Sequence, residues 1–243
     1  MKTLALIAIL FASLSSLTAC TSNQSVQLAA DGSGTASFRL EVKKLFADFI
    51  AEDKASGGRL FNVMKIKQAV ERRPGITVQT IAAPTKESIA LDFTFKDIRK
   101  LFTDRGDDGI ISLSEKNGQS EFAFHLDRNN AKYVAKIFSE ASNPAFGEMR
   151  PRKQRASTEK EYLEAISFMV GNEGPELVKS SIVEFRLEVG GTIISVNGGN
   201  VENGAAVFRL PLLKLLLLEK PLDYSVTFAK ARKTGQKQSP KSK

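Results

Sequence analysis

Alternation of apolar and polar residues dominates the chain after residue 25 and predicts strands with one buried and one solvent-exposed face. In residues 183–189, four apolar side chains alternate with three charged ones. Comparable segments recur along the chain, at 26–30, 38–42, 76–81, 89–95, 111–113, 122–126, 194–196, 208–210 and 222–228. The short connections between many of these segments favour antiparallel pairing.

Glycine-containing turns separate several of the alternating segments. Asn117-Gly118 lies between two of them, and this dipeptide is a strong hairpin signal because both residues tolerate a positive φ. Gly32 and Gly34 stand in a second turn, after the first alternating segment. The pattern therefore predicts a hairpin at each of these places.

Helical spacing of apolar residues interrupts the strand pattern. It predicts helices near 45–50, 60–71, 131–138 and 159–170, and a short helical turn at 98–102. The apolar run Leu212–Leu218 is too short to span a membrane and predicts a helical turn or strand packed into the core. The chain is thus predicted to be an α+β protein, with a mostly antiparallel β-sheet of about nine or ten strands and three or four packed helices.

The first twenty residues have a different pattern. Lys2 precedes an apolar stretch, Leu4–Leu14, and small residues follow that stretch. This order is typical of an export signal. The stretch is shorter than the roughly 20 apolar residues that a membrane-spanning helix requires. We interpret residues 1–19 as a signal peptide.

The signal ends at the only cysteine of the chain. Leu17, Thr18 and Ala19 directly precede Cys20, and this segment resembles the lipobox of bacterial lipoproteins. The resemblance implies that the Cys20 thiol becomes linked to diacylglycerol, that cleavage follows Ala19, and that the new amine is acylated. A lone cysteine cannot form an intramolecular disulfide, which favours lipidation. The alternatives are an ordinary signal peptide with a free thiol, or a buried apolar cysteine.

A lipid on Cys20 predicts a protein held at a bacterial cell membrane through its N-terminus. Thr21 stands where some lipoproteins carry an aspartate that retains them in the inner membrane, so the outer membrane or the periplasmic face is favoured. Residues 20–25 are polar and are predicted to be a lipidated tether. The folded domain is then expected at 26–229.

The net charge of the chain indicates which classes of partner it could bind. The chain has 35 Lys and Arg against 27 Asp and Glu, a formal net charge of +8. Basic residues are concentrated in Arg150–Arg155 and in 230–243, a tail without acidic residues that is predicted to be disordered. Such segments are attracted to anionic lipid headgroups or cell-wall polymers, or they simply keep a loop and a tail solvated. Nucleic acid is not an expected partner, because export removes the chain from it.

One loop has the spacing of a metal site. Counted from Asp104, Asp108 takes the fifth position and Glu115 the twelfth, as in an EF-hand calcium loop. The third ligand position holds a glycine, and the Asn-Gly turn that follows favours a hairpin over an exiting helix. Calcium bound by Asp104, Asp108 and Glu115 is therefore one hypothesis, and a turn leading into a strand is the other. No other cofactor is expected.

His125 is the only histidine, so a histidine-based metal cluster is excluded. It lies on the polar side of the segment 122–126, near Asp127. No G-x-S-x-G segment supplies the nucleophile of a catalytic triad. We interpret His125 as a surface or hydrogen-bonded strand residue, and no catalytic residue is predicted.

Three segments of the C-terminal third have a distinctive order of strand and turn, at Phe185–Ile193, Asn197–Gly199 and Val207–Leu212. Together with the lipobox and the glycine turn at 32–34, they resemble the LppM-like domain of bacterial lipoproteins. The resemblance leaves 44–180 as a possible subfamily insertion. It implies a non-enzymatic envelope lipoprotein, with lipid or glycolipid binding as in some relatives. We therefore expect a binding or structural module at the membrane surface, with a lipid, a glycolipid or, from the basic segments, an envelope polymer as partner. A surface-exposed scaffold or adhesin is the alternative.

Overall fold

The computed structural model describes residues 20–51, 60–102, 109–134 and 158–230. The predicted signal peptide, most of the predicted loop 143–158 and all but the first residue of the basic tail lie outside these residues. Eleven strands are present in the described part: β1 Cys20–Leu28, β2 Gly34–Val42, β3 Ile76–Ala82, β4 Ser88–Phe95, β5 Ile111–Lys116, β6 Gln119–Leu126, β7 Ile182–Val189, β8 Gly191–Asn197, β9 Asn200–Glu202, β10 Ala205–Pro211 and β11 Leu222–Lys230. The helices whose bounds lie within the described residues are α1 Lys44–Ala51, α2 Val63–Glu71, α3 Glu159–Val170, α4 Gly174–Ser180 and α5 Leu212–Leu217, with a 3-10 helix at Ile98–Lys100. Residues 131–134 are also helical, and the rest of the helix predicted at 131–138 lies outside the described residues.

The strands form two sheets. The larger has the order β3-β4-β2-β1-β7-β10-β9, and the smaller has the order β5-β6-β11-β8. Every pair of neighbouring described strands is antiparallel except β1 and β7, which run parallel from Thr21 beside Ile182 to Leu28 beside Val189. The predicted α+β class with a mostly antiparallel sheet is therefore confirmed.

The middle of the chain is interleaved with its two ends. β4 pairs with β2 in the larger sheet, and β6 pairs with β11 in the smaller one. The region 44–180, predicted as a possible insertion, thus supplies strands to both sheets rather than forming a separate layer.

The two sheets face each other over a cluster of apolar side chains, which we call the sheet cluster. Phe208 lies at its centre, with its ring 6.0 Å from that of Phe185 and 5.3 Å from that of Tyr224. Phe122 stacks on Phe185 from the smaller sheet, and Phe228 is also fully buried. Aromatic pairs at these separations add to the stabilisation from burial alone.

Helices cover the other half of the inner face of the larger sheet. Val42 and Ile89 of that sheet pack with Ile50, Tyr162 and Ile166 in a second cluster, which we call the helical cluster. Burial raises the pKa of Tyr162 to about 12, because it disfavours the charged phenolate. The same sheet face is thus closed by a sheet at one end and by helices at the other.

Local sequence accounts for the ends of several helices. Thr158 accepts a hydrogen bond from the Glu161 amide, and the Glu161 side chain accepts one from the Thr158 amide, which makes a capping box at the start of α3. The apolar run at 212–218 forms α5, and Leu213 and Leu217 are buried in the helical cluster. Its packing into the core is as predicted.

Two features of the fold were not predicted from sequence periodicity. The helix α4 has only seven residues and opens on Gly174-Pro175. This dipeptide also begins turns, although proline fits well in the first helical turn.

Residues 20–25 were predicted to be a tether, but they form the first part of β1, between β2 and β7. The tether prediction is wrong because pairing with two neighbouring strands stabilises a polar strand that has no apolar alternation of its own.

Candidate functional site

Cys20 is the first residue of the central strand of the larger sheet. Its backbone lies opposite Val42 in β2, and the next residue, Thr21, lies beside Ile182 in β7. Ser22 is already buried, with 4% of its surface exposed. No polar spacer therefore separates Cys20 from the folded sheet.

Helices and loops surround the end of the sheet at which Cys20 lies, which we call the Cys20 end. α1 starts two residues after Val42, and the amide of Val42 donates to the carbonyl of Glu87 in the loop between β3 and β4. The amide of Leu212, at the start of α5, donates to the carbonyl of Ser181, at the end of α4. Ile182 is exposed here to 41%. The helical cluster is thus the part of the core nearest to Cys20.

The predicted calcium ligands are only partly within the described residues. Asp104 and Asp108 lie outside them. Glu115 lies in β5, opposite Ser120, and its carboxylate accepts a hydrogen bond from the Lys230 ammonium at 2.5 Å. The described part of the chain contains no group of three or more metal-ligating side chains suited to an ion. Calcium binding by this loop stays a prediction.

The chain after Glu115 turns back into β6 instead of entering a helix. Asn117 and Gly118 have φ values of 54° and 74°, the left-handed conformations that a two-residue hairpin of this kind requires. The predicted Asn-Gly hairpin is confirmed, and it holds Glu115 on an edge strand of the smaller sheet.

His125 forms the most distinctive polar cluster of the described surface. Its Nδ1 lies 2.6 Å from Oδ1 of Asp223, which is directly opposite it on β11. Its Nε2 lies 3.7 Å from Oδ2 of Asp127. The imidazole side chain is 43% exposed. We call these three residues the His125 cluster.

The loop after β6 holds the second carboxylate in place. Oδ1 of Asp127 accepts hydrogen bonds from the amides of Asn129 and Asn130. The side-chain amide of Asn130 in turn donates to the carbonyl of His125 at 3.0 Å. These backbone hydrogen bonds lower the pKa of Asp127. Asp127 therefore stays charged beside the imidazole.

Two nearby carboxylates change the titration of His125. The hydrogen bond to Asp223 raises the pKa of the imidazole, and the charge of Asp127 adds to this effect. The cluster consequently favours a protonated imidazole, which can donate from both ring nitrogens. The imidazole of this cluster can therefore gain or lose a positive charge as the pH changes.

His125 and Asp127 are recognisable as neighbours in the sequence, but Asp223 is not. The partner lies 98 residues further along the chain. Only the pairing of β6 with β11 brings it opposite His125. The alternation of β11 placed Asp223 on a polar face, but nothing in the sequence indicated which strand would lie beside it.

A groove lies on the surface between α3 and α4. It has a volume of about 510 Å³ and is lined by Glu159, Lys160, Leu163, Glu164, Ser167, Pro175 and Lys179. Its size is within the roughly 300–1,000 Å³ usual for small-molecule pockets. Leu163 and Pro175 supply apolar surface, and charged side chains form the rim.

Comparisons with known proteins give structural likenesses only. No protein-family model and no curated protein matches the sequence. The folded domain of LppM from Mycobacterium tuberculosis, the family that the C-terminal segments resemble, matches with a TM-score of 0.42 and 11% identity over 88% of this chain and 91% of that chain. A mutant two-domain M1 zinc metallopeptidase bound to L-tryptophan matches with a TM-score of 0.25 and 8% identity over 87% of this chain and 42% of that chain. At such low TM-scores these likenesses carry no argument about function.

Across the described ranges, none of the helices is both long and apolar enough to cross a membrane.

Proposed function

We propose that this chain is a bacterial envelope lipoprotein, anchored by a diacylglycerol on Cys20, and that its domain is a non-catalytic binding module. The observation that carries the proposal is the start of β1 at Cys20 itself. Cleavage after Ala19 would make Cys20 the N-terminus, and the partner strand β2 ends directly opposite it at Val42. This cleavage would leave the lipid-bearing cysteine as the first residue of the central strand.

The chemistry requires two changes at Cys20. The Cys20 thiol gives up its proton as its sulfur displaces the phosphate-linked headgroup from the glyceryl carbon of a diacylglycerol phospholipid, and water then hydrolyses the peptide bond between Ala19 and Cys20. Because each buried methylene contributes about 0.8 kcal/mol, two or more acyl chains hold a protein firmly to a bilayer. With no spacer after Cys20, the helices at the Cys20 end would lie at the lipid headgroups.

Mass spectrometry of the protein from its native membrane tests this anchorage. We expect the first tryptic peptide of the mature chain to begin at Cys20, end at Arg39 and carry diacylglycerol. Cys20→Ser should abolish the lipid and release the chain from the membrane fraction, whereas Ser16→Ala, outside the lipobox, should change neither. An unmodified Cys20 in the parent protein would overturn the proposal.

Lipid or glycolipid binding is the finer part of the proposal, and the groove between α3 and α4 supports it. An acyl chain could lie on the apolar surface of Leu163 and Pro175. The ammonium groups of Lys160 and Lys179 at the rim could donate to a polar headgroup. Lys179 also contacts Glu176 at 3.1 Å, so part of its charge is already neutralised.

A fluorescent fatty acid, dansyl-undecanoic acid, provides a direct assay of the groove. Leu163→Glu should weaken its binding at least about tenfold, since an unpaired charge is costly in an apolar site. Ala165→Glu is the matched control, because Ala165 is exposed on the same helix and does not line the groove. Equal binding by the two variants would exclude the groove as the lipid site.

A further inference from the structure

The end of the larger sheet opposite Cys20 brings three separate segments together. β1 runs from Cys20 to Leu28, about 27 Å at a rise of about 3.4 Å per residue. The turn 29–33 follows Leu28, the amide of Ile98 donates to the carbonyl of Gly32, and the amide of Lys96 donates to the carbonyl of Gly75. We call residues 29–33, 72–75 and 96–102 the distal end.

The distal end has a surplus of positive charge. Its basic residues are Arg72, Arg73, Lys96, Arg99 and Lys100, and its acidic residues are Asp31 and Asp97. Over all described residues the charges nearly cancel, with 21 basic and 20 acidic side chains. The surplus is therefore a local property of this end rather than a share of the overall charge.

The two carboxylates at the distal end already have hydrogen-bond or ion-pair partners within the fold. Asp97 binds Arg99 through both of its oxygens, and this contact lowers the pKa of Asp97. Asp31 accepts hydrogen bonds from the hydroxyl and the amide of Ser33. Within the described ranges, the side chains of Arg72, Lys96 and Lys100 form no ion pair, so their charges are available to a partner.

Arg73 occupies a different position in the patch. One of its terminal nitrogens donates to the carbonyl of Phe102 at 2.5 Å, which ties two of the three segments together. Its Nε is buried and has no hydrogen-bond partner among the described residues. Arg73 is half-buried, and its contact with Phe102 holds its positive charge at a fixed place in the distal end.

The distal end and Cys20 lie at opposite ends of the larger sheet. Cys20 pairs with Val42 at one end of β1, and Leu28 pairs with Gly34 at the other. Gly34 also lies opposite Phe95, next to Lys96. The described cations of the distal end are therefore separated from Cys20 by the length of the sheet.

We infer that the distal end binds an anionic polymer of the envelope, on the side of the domain that faces away from the membrane. The inference rests on the proposed function, because the anchor at Cys20 defines where the membrane lies. Repeated negative charges along a flexible polymer match cations that are spread over separate segments of the distal end. Binding of this kind releases counterions and weakens steeply as salt increases.

Long-chain inorganic polyphosphate is a suitable probe, with the lipidated chain held in zwitterionic phosphatidylcholine vesicles. The triple variant Arg72→Gln, Lys96→Gln, Lys100→Gln should bind roughly tenfold more weakly and reduce the slope of log affinity against log salt by about two. The control triple, Lys43→Gln, Lys44→Gln, Lys86→Gln, removes the same charge at the Cys20 end and should bind as the parent does. Thermal melting of both variants checks that they fold.

Two results would overturn the inference. One is equal loss of polyphosphate binding in the two triple variants, which would indicate attraction to total charge. The other is a parent protein that does not bind polyphosphate, while the unlipidated Cys20→Ser chain binds phosphatidylglycerol vesicles through the same three distal cations. That result would assign the cations to a membrane surface. The mass of the Cys20 peptide in the same preparation separates the two proposals, because a lipidated chain that ignores polyphosphate contradicts only this one.

Discussion

The sheet cluster and the helical cluster lie on one face of the same seven-stranded sheet but are closed in different ways. The sheet cluster is covered by strands that are distant in the sequence, and it depends on stacked rings such as Phe185 and Phe208. The helical cluster is covered by short helices whose apolar faces are encoded locally, as in α3 with Tyr162 and Ile166. One sheet can therefore carry both a core that depends on strand register and a core that depends on the packing of helices.

The difference has a consequence for the order in which structure is lost. Strand pairing between distant segments must be disrupted as a unit, because each inner strand is held by two neighbours. Helices with local caps can detach with less disruption of the remaining fold. We expect the sheet cluster to be the more cooperative half.

The largest effect is expected from Phe208→Ala, which should lower the free energy of unfolding by about 4 kcal/mol. Phe208 is 1% exposed and its ring contacts both sheets, so its removal leaves a cavity at their interface. Urea unfolding followed by circular dichroism measures the change. A loss below about 1 kcal/mol would show that the two sheets repack and would remove the distinction between the clusters.

Ile166→Ala should destabilise the helical cluster by about 3 kcal/mol. Ile166 is fully buried on α3. Hydrogen exchange should show faster exchange in α3 and α4 than in β6 and β11, because the helices detach first. Exposed Ala165→Ser on the same helix is the control for helix propensity. Uniformly faster exchange in both halves would contradict separate loss of the helical cluster.

Thr158→Ala removes the side-chain half of the capping box and should cost about 1 kcal/mol. Thr158→Ser, which retains the hydroxyl, should recover most of that stability. Thermal unfolding of the three proteins measures the series. If alanine and serine behave alike, the cap does not limit the stability of α3.

The smallest effect is expected at the His125 cluster, on the smaller sheet. Because the pKa of His125 is raised in the folded state, its contribution to stability is fully present below the unfolded pKa of about 6.5 and is lost as pH rises through the folded pKa. The contribution should stay below about 1 kcal/mol, since exposed ion pairs are screened by water.

His125→Gln measures this contribution. The parent should be the more stable protein at pH 5.5, and the difference should shrink by pH 8.5. Glu121→Gln, on the same face of β6, controls for a general change in charge. A difference that stays constant between the two pH values would mean that protonation of His125 does not stabilise the fold.

Local patterns predicted most elements but not their partners. The helix at 159–170 agrees with prediction because its apolar spacing and Thr158 cap act within a few residues. The hairpin at Asn117 agrees for the same reason. The parallel pairing of β1 with β7 was not predicted, because it joins segments more than 150 residues apart and leaves no local signal.

The alternating strands, the amphipathic helices, the tight turns and the lipobox context of Cys20 can be recognised in the sequence, because each depends on neighbouring residues. Three features arise only from the folded arrangement: Cys20 lies in the central strand, Asp223 contacts His125, and the cations of three segments lie together at the distal end. These depend on strand register and on packing between distant segments. The free energy that selects one register comes from the whole buried face and not from any single stretch of chain.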